Sequence, residues 1–121
     1  MATRVLIVDD AKFMRHLLKN ILSEIGCEVV GEAADGNEAC TKYKELSPDV
    51  VTMDIVMPNA SGIEALKKIR TMDSDAKVVM ITAIDQREPL MEALKLGAVD
   101  YVVKPFEKER VEEALQRVAA G

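Results

Sequence analysis

The stretch Asp49–Asp54, which reads DVVTMD, is a short apolar run that ends in an acidic residue. Short apolar runs bounded by turn signals are typical of strands buried on both faces, as in parallel sheets. Other apolar runs of the chain also end in polar residues, which are Asp9 and Asp10, Thr82 and Lys104. Ligands of open parallel sheets bind beyond the carboxyl ends of the strands. We therefore expect three carboxylates, a hydroxyl and an ammonium at one edge, a set able to hold a divalent metal and to accept a phosphoryl group.

Five strand-like runs alternate with five helical patterns along the chain. We predict strands over residues 4–9, 28–33, 49–54, 77–82 and 100–104. Regular alternation of strands and helices implies a parallel sheet with helices on both of its faces. The sequence therefore predicts an α/β fold built on a five-stranded parallel sheet.

The helices are predicted from apolar residues at spacings of three and four. The first carries a stripe that we expect to be core, made of Met14, Leu17, Leu18, Ile21, Leu22 and Ile25. The later helices carry Ala39, Cys40 and Tyr43, then Ile63, Leu66 and Ile69, then Leu90, Met91 and Leu94, and finally Val111, Ala114, Leu115 and Val118. These faces are expected to cover the sheet.

Turn and capping signals locate several helix ends. Gly26 follows the first helix where a left-handed terminating residue belongs. Asp35 and Glu38 form a capping-box pattern before the second helix, and Pro48 prevents that helix from continuing. Proline is tolerated only in the first turn of a helix, so Pro89 predicts that the fourth helix begins late, near residue 88.

Length and composition bound the class of protein. The 121 residues are expected to form one domain, over residues 1–121. With 16 basic and 21 acidic residues the net charge is −5, which gives no electrostatic reason to expect nucleic acid or an anionic membrane as a partner. No apolar run approaches the roughly 20 residues that span a bilayer. We expect a soluble, cytoplasmic monomer, with Cys27 and Cys40 as ordinary thiols of a reducing compartment.

Five separated motifs, in the right order and at the right strand positions, carry a resemblance to a known family. They are the pair Asp9-Asp10, Asp54 within residues 53–58 (MDIVMP), Thr82-Ala83, Tyr101, and Lys104-Pro105-Phe106. With them the whole chain resembles a response-regulator receiver domain, and most of all the single-domain chemotaxis regulators of the CheY type. The resemblance implies the flavodoxin-like (βα)5 fold with strand order 2-1-3-4-5, which the alternation of elements alone does not specify.

The resemblance implies that Asp54 accepts a phosphoryl group from a histidine kinase. Three carboxylates at one edge repel one another by about 3 kcal/mol a pair, at ~5 Å and an effective dielectric constant of ~20. Magnesium suits such a site because it prefers oxygen ligands and commonly binds one or two carboxylates together with phosphate. The family pattern makes Asp10, Asp54 and the backbone carbonyl of Val56 the Mg2+ ligands, with Asp9 acting directly or through water. No organic cofactor is expected.

Three further residues are expected to respond to the phosphoryl group. The Lys104 ammonium can pair with Asp54 before phosphorylation and with a phosphoryl oxygen afterwards. The resemblance also implies a cis Lys104-Pro105 peptide bond. The Thr82 hydroxyl is expected to donate to the phosphoryl oxygens, and Tyr101 to turn inward, so that these two form the switch that alters the surface of the fourth helix, the fifth strand and the fifth helix.

The predicted function is that of a two-component signalling protein rather than an enzyme, with phosphoryl transfer directed only onto itself and lost by autodephosphorylation. We expect a role in chemotaxis, with a motor-switch protein or an adaptor as the output partner. The alternative is a phosphorelay intermediate that passes the phosphoryl group to a histidine phosphotransfer protein. A haloacid-dehalogenase-type phosphatase fits less well because its nucleophile opens a DxDx motif after the first strand, where this chain has DDAK at residues 9–12. A further alternative is a receiver-shaped interaction domain that works without phosphorylation. Such domains usually lack part of the acidic pocket, whereas this chain has all of its residues.

Two apolar residues near the phosphoacceptor distinguish this chain from many receivers. Val56, two residues after Asp54, often has a polar counterpart that influences the hydrolytic water, and Ile84 is likewise apolar. Valine cannot orient water by hydrogen bonding, so we expect slow autodephosphorylation and a separate phosphatase as a partner. His16, the single histidine, lies off the apolar stripe and is expected in solvent rather than as a phosphohistidine.

Overall fold

The computed structural model describes residues 2–57, 61–83 and 85–120. Strands and helices alternate through these residues. The elements are β1 (Arg4–Val8), α1 (Lys12–Glu24), β2 (Glu28–Ala33), α2 (Gly36–Leu46), β3 (Val50–Asp54), α3 (Gly62–Met72), β4 (Val78–Thr82), α4 (Arg87–Lys95), β5 (Asp100–Val103) and α5 (Lys108–Ala120). The predicted alternation is confirmed.

The strands form one parallel sheet in the order β2-β1-β3-β4-β5. This order confirms the flavodoxin-like topology that the resemblance implied. Val8 pairs with Met53, so β1 and β3 end side by side. Thr82 pairs with Val103, so β4 and β5 also end together. The register therefore brings the polar residues that follow these strands to the same edge of the sheet.

Side chains that alternate along the strands divide the core into two layers. One layer packs against α2, α3 and α4, and its members include Leu6, Val51, Met53, Met80, Tyr43, Leu66, Ile69 and Ala93. The other packs against α1 and α5, and its members include Val5, Ile7, Val50, Ile81, Leu18, Leu22, Val111 and Leu115. Both faces of the sheet are thus covered, which explains why the strands read as continuous apolar runs.

The helix ends follow the predicted signals. Gly26, which follows the C-cap residue Ile25 of α1, has φ of +88°, a conformation that favours glycine. The Asp35 carboxylate accepts a hydrogen bond from the Glu38 amide at 2.8 Å, and α2 ends at Leu46, before Pro48. The fourth helix begins at Arg87, one residue earlier than predicted, with its proline still in the first turn.

Two predicted core residues are in fact exposed. Leu17 is 37% exposed and Met91 is 49% exposed. In α1 the face toward the sheet is narrower than the apolar stripe, because Leu18 and Leu22, one helical turn apart, fill the contact. Apolar spacing predicts the direction of a helix face but does not set its width.

Small differences occur at the strand ends. The pairing ladder stops at Val8 and Val103 rather than at Asp9 and Lys104. The Asp9 amide nevertheless donates to the Ala33 carbonyl at 3.0 Å, and the Lys104 amide donates to Thr82 at 2.7 Å. Both polar residues therefore continue the direction of their strands.

None of the helices within the described residues is long and apolar enough to cross a membrane.

Candidate functional site

Three carboxylates meet at the carboxyl edge of the sheet. Asp9 and Asp10 follow β1, and Asp54 is the last residue of β3. One carboxylate oxygen from each lies within 4.8 Å of the others. Asp9 and Asp54 are buried, whereas Asp10 is exposed. Two buried carboxylates and one that is open to solvent thus offer oxygen ligands, and oxygen is the donor atom that Mg2+ prefers.

Lys104 is the cation that faces these carboxylates. Its Nζ lies 3.1 Å from Asp9 Oδ2 and 3.4 Å from Asp54 Oδ2. It follows β5, and the Lys104-Pro105 peptide bond is cis. Burial acts to lower the pKa of Lys104, but the charges of Asp54 and Asp9 outweigh it and raise that pKa. The side chain is therefore a stable ammonium at neutral pH. We call Asp9, Asp10, Asp54 and Lys104 the acidic site.

The surroundings of Asp54 perturb its carboxyl group. Burial and, next, the charge of Asp9 raise the pKa of Asp54 to about 6, although Lys104 acts in the opposite direction. One ammonium therefore does not compensate the buried negative charge of this edge. A second cation would restore the balance and keep Asp54 ionised.

Thr82 ends β4 beside the acidic site, and its side chain is buried. Its hydroxyl donates to the Ala83 carbonyl at 3.1 Å, and Gln86 Oε1 lies 3.4 Å away. The same Gln86 oxygen accepts a hydrogen bond from the Ala83 amide at 2.9 Å. In this structure the hydroxyl thus bonds within its own loop. Sequence reasoning missed Gln86, because a glutamine at the start of a helix is not a distinctive pattern.

Tyr101 lies in β5 with 36% of its surface exposed. A cleft of about 410 Å³ is lined by both Tyr101 and Thr82, together with Ala83, Arg87, Leu90, Met91, Leu94 and Val103. The two residues predicted to form the switch therefore border one cavity. The guanidinium of Arg110 lies over the Tyr101 ring, 5.6 Å from its centroid. This contact was not predicted, since Arg110 is one of several charged residues of its helix.

Sequence reasoning also missed Arg15 of α1. Its Nη1 donates to the Asp9 carbonyl at 2.7 Å, and its Nε lies 3.1 Å from Glu32 Oε1 on β2. Arg15 thus ties the backbone of a site residue to the neighbouring strand. Helical spacing offers no signal for this bond, because the partners belong to other elements.

One of the two apolar residues predicted near Asp54 is exposed to solvent. The Val56 side chain is 59% exposed, just beyond β3. Ile84, the other apolar residue of the prediction, lies outside the described residues.

His16 is exposed on α1, as predicted. Cys27 and Cys40 are free and half-buried, and burial raises the pKa of both thiols.

Comparisons with known proteins agree over almost the whole chain. The family model of the response regulator receiver domain matches residues 5–116. The chemotaxis protein CheY of Thermotoga maritima is 54% identical over 119 residues, which cover 98% of this chain and 99% of the relative. The CheY of Bacillus subtilis is 51% identical over 117 residues, covering 97% and 98%. A chain of the CheX–CheY–BeF3–Mg2+ complex from Borrelia burgdorferi superposes with a TM-score of 0.88 at 39% identity, covering 98% of this chain and 87% of that one.

Proposed function

Because this chain is a CheY-type member of the response regulator receiver family, we propose that it takes a phosphoryl group from a histidine kinase onto Asp54. Proteins of this type are signalling proteins of two-component chemotaxis systems. One observation carries the assignment to Asp54: its carboxylate lies at the end of β3, between Asp9, Asp10 and the Lys104 ammonium. In the proposed signalling state the phosphorylated protein changes its protein partners.

Phosphoryl transfer requires positioning and charge neutralisation more than covalent help. In the proposed step a carboxylate oxygen of Asp54 bonds to phosphorus while the bond from phosphorus to the donor's histidine nitrogen breaks. Lys104 is 3.4 Å from Asp54 and is placed to pair with the new phosphoryl oxygens. The step leaves an acyl phosphate on this protein.

The donor set fits Mg2+. Asp10 and Asp54 would hold the ion together with the backbone carbonyl of Val56, and Asp9 would act directly or through water. The fit rests on carboxylate oxygens within 4.8 Å and on the raised pKa of Asp54, which marks an excess of negative charge. When bound, the ion neutralises charge on the entering phosphoryl group. The similar structure from Borrelia burgdorferi is of a complex that includes Mg2+.

Thr82 and Tyr101 are the proposed switch. Phosphorylation would give the Thr82 hydroxyl a charged acceptor that it prefers to the Ala83 carbonyl. Movement of Thr82 toward that acceptor would leave more of the 410 Å³ cleft to the Tyr101 ring. A modification shifts a conformational population only through such differential contacts. The outcome is a changed surface on α4, β5 and α5.

Mass spectrometry tests the chemistry. The protein is incubated with acetyl phosphate and Mg2+, and the intact mass is measured. We expect one phosphoryl adduct on wild type. It should not form in Asp54→Asn or in excess EDTA. Asp75→Asn, which changes an exposed aspartate of another loop, should still form it. An adduct that survives in Asp54→Asn would contradict the assignment.

The proposed output is a motor-switch protein or an adaptor, in line with the CheY relatives. An affinity capture from the native cell extract compares the protein in BeF3⁻ and Mg2+ with the protein in EDTA. We expect a chemotaxis or motor protein to be enriched in the first sample. Enrichment of a histidine phosphotransfer protein alone would instead favour the phosphorelay alternative.

We also propose that autodephosphorylation is slow and that a separate phosphatase ends the signal. The exposed Val56 side chain beside Asp54 cannot hydrogen-bond the water that hydrolyses an acyl phosphate. We expect Val56→Asn to shorten the lifetime of the phosphorylated protein, measured by loss of the adduct after the donor is removed. Equal lifetimes in the two proteins would contradict this part of the proposal. Val56→Ala, which stays apolar, is the control.

A further inference from the structure

Arg110, near the start of α5, is bound to β5. Its Nη2 lies 3.0 Å from Asp100 Oδ1, and its Nη1 lies 3.4 Å from Asp100 Oδ2. Nη2 also donates to the Tyr101 carbonyl. The guanidinium then covers the Tyr101 ring at 5.6 Å from the centroid. A single arginine thus contacts the backbone and the ring of the proposed switch residue and the carboxylate before it.

Asp100 fixes the position of this arginine. It is buried, and a buried carboxylate must be paired and hydrogen-bonded. Besides Arg110, its Oδ1 accepts from the Tyr101 amide at 2.8 Å. The planar guanidinium meets both carboxylate oxygens, a two-pronged geometry that lysine cannot reproduce. Arg110 is therefore oriented by β5 rather than free to follow a moving ring.

We propose that Arg110 is a positioning residue that holds the Tyr101 ring outward, and so sets how readily the switch turns. This inference rests on the proposed function of Tyr101. The ring now lies under Arg110, and the cleft that it shares with Thr82 is the inward place that the proposed switch would use. A ring that turned into the cleft would lose its contact with the cation, and a contact made in one state alone shifts the population toward that state.

Arg117 provides a matched control on the same helix. Its Nε lies 3.7 Å from Asp100 Oδ2, and it is the more exposed of the two arginines. Arg117→Ala removes a cation from Asp100 but leaves the contact of Arg110 with the ring. Conversely, Arg110→Ala leaves Arg117 beside the buried carboxylate, which favours retention of the fold.

The first measurement is 19F NMR of protein labelled with 3-fluorotyrosine. Tyr43 and Tyr101 are the two tyrosines, so Tyr43→Phe assigns the spectrum. Without a phosphodonor, we expect Arg110→Ala to move the Tyr101 resonance part of the way toward its position in wild type treated with BeF3⁻ and Mg2+. Arg117→Ala should leave the resonance in place. Arg110→Lys, which keeps the positive charge but loses the two-pronged contact with Asp100, should give an intermediate shift.

The second measurement uses the reciprocity of coupled equilibria. If the inward ring favours the phosphoryl-like state, Arg110→Ala should bind BeF3⁻ more tightly, by about fivefold, in a Mg2+-containing titration. Arg117→Ala should match the wild type. Equal affinities and unmoved resonances in Arg110→Ala, or equal effects of the two alanine variants, would overturn the inference.

The two proposals fail in different ways. If wild type binds neither BeF3⁻ nor a phosphoryl group, the proposed function is wrong, and a Tyr101 resonance that moves in Arg110→Ala but not in Arg117→Ala would still show that Arg110 holds the ring. If wild type responds and Arg110→Ala behaves as Arg117→Ala does, only the role of Arg110 is wrong. Should Arg110→Ala unfold, the intermediate shift expected of Arg110→Lys decides the question.

Discussion

Asp54 is only 6% exposed, and its carboxylate lies beside a second buried carboxylate, that of Asp9. Burial and the Asp9 charge favour its protonated form, and Lys104 only partly opposes them. The residue that is proposed to accept the phosphoryl group is therefore destabilising in its ionised form. Such a conflict between stability and chemistry is common at functional sites.

The pH dependence of stability should report this conflict. The pKa of Asp54 is about 6 in the folded protein, against an ordinary value of 3.8. The folded state thus binds the proton more tightly, and this contribution to stability is present below about pH 4 and is lost as the pH rises through about 6. In EDTA at pH 7, Asp54→Asn should be roughly 1–3 kcal/mol more stable than wild type in urea unfolding.

The advantage of Asp54→Asn should vanish near pH 4, where the wild-type carboxyl is protonated as well. Asp75→Asn, at an exposed position, should differ little from wild type throughout this range. A constant difference between Asp54→Asn and wild type from pH 4 to pH 7 would show that the charge of Asp54 is not the cause.

Thr52 shows a second local cost, in the middle of β3. Its hydroxyl oxygen is buried and has no hydrogen-bond partner within the part of the chain that the structure describes. Thr52→Val keeps the shape and removes the unpaired group, so we expect it to raise the free energy of unfolding by about 1 kcal/mol. Thr52→Ser keeps the hydroxyl but removes a methyl group, and should lower that free energy. Chemical denaturation of the three proteins checks the order, which a less stable valine variant would contradict.

Among the elements, the start of α3 is held against the end of β3. The amide of Gly62, the first residue of α3, donates to the Ile55 carbonyl at 2.8 Å. The Ser61 hydroxyl caps the helix by accepting from the Glu64 amide at 3.2 Å. The start of this helix therefore lies directly against the end of the strand that carries Asp54.

Gly62→Ala should damage both stability and the acidic site. A Cβ at Gly62 would lie 2.0 Å from the carbonyl oxygen of Asp54, so the strand end or the helix start must move. We expect a loss of roughly 1–3 kcal/mol in the free energy of unfolding and slower labelling by acetyl phosphate. Gly31→Ala is the control, because its Cβ would meet the flexible end of Leu46 at 2.6 Å. Labelling of Gly62→Ala at the wild-type rate would show that the strand end tolerates the shift.

For the whole molecule, the sheet order is what unites residues distant in sequence. Lys104 and Asp9 are separated by 95 positions and yet lie 3.1 Å apart. Their contact requires β1 and β3 to be neighbours and β5 to lie one strand beyond β4. A ligand that bridges these strand ends binds only the folded chain.

Mg2+ should therefore stabilise the entire fold. At a Mg2+ concentration about 100 times its Kd, the free energy of unfolding should rise by about 2.7 kcal/mol. Asp10 is exposed, so Asp10→Asn should fold normally and lose most of this gain. Thermal unfolding with Mg2+, with EDTA and with NaCl of equal ionic strength checks the effect. Equal stabilisation of wild type and Asp10→Asn by Mg2+ would indicate a general salt effect instead of a site.

Much of the fold was predictable, because burial on both faces of a parallel strand leaves a direct mark in the order of residues. Continuous apolar runs such as Val50–Asp54 located the strands, and Gly26, Asp35 and Pro48 located helix ends. Exposure was less predictable. Leu17 and Met91 share the apolar spacing of their helices but lie beyond the contact with the core. The width of a contact depends on the neighbouring element, and a periodic pattern carries no information about that neighbour.

The order of residues was enough to place Asp9, Asp10, Asp54, Thr82 and Lys104 at strand ends, since each ends or follows an apolar run. Only the packed chain decided how their atoms pair. Lys104 lies closer to Asp9 than to Asp54, the Thr82 hydroxyl bonds within its own loop, and Arg110 covers Tyr101. Such pairings depend on distances between elements that are far apart in sequence. They are fixed by the sheet register and by how the helices pack, and local spacing along one element cannot encode them.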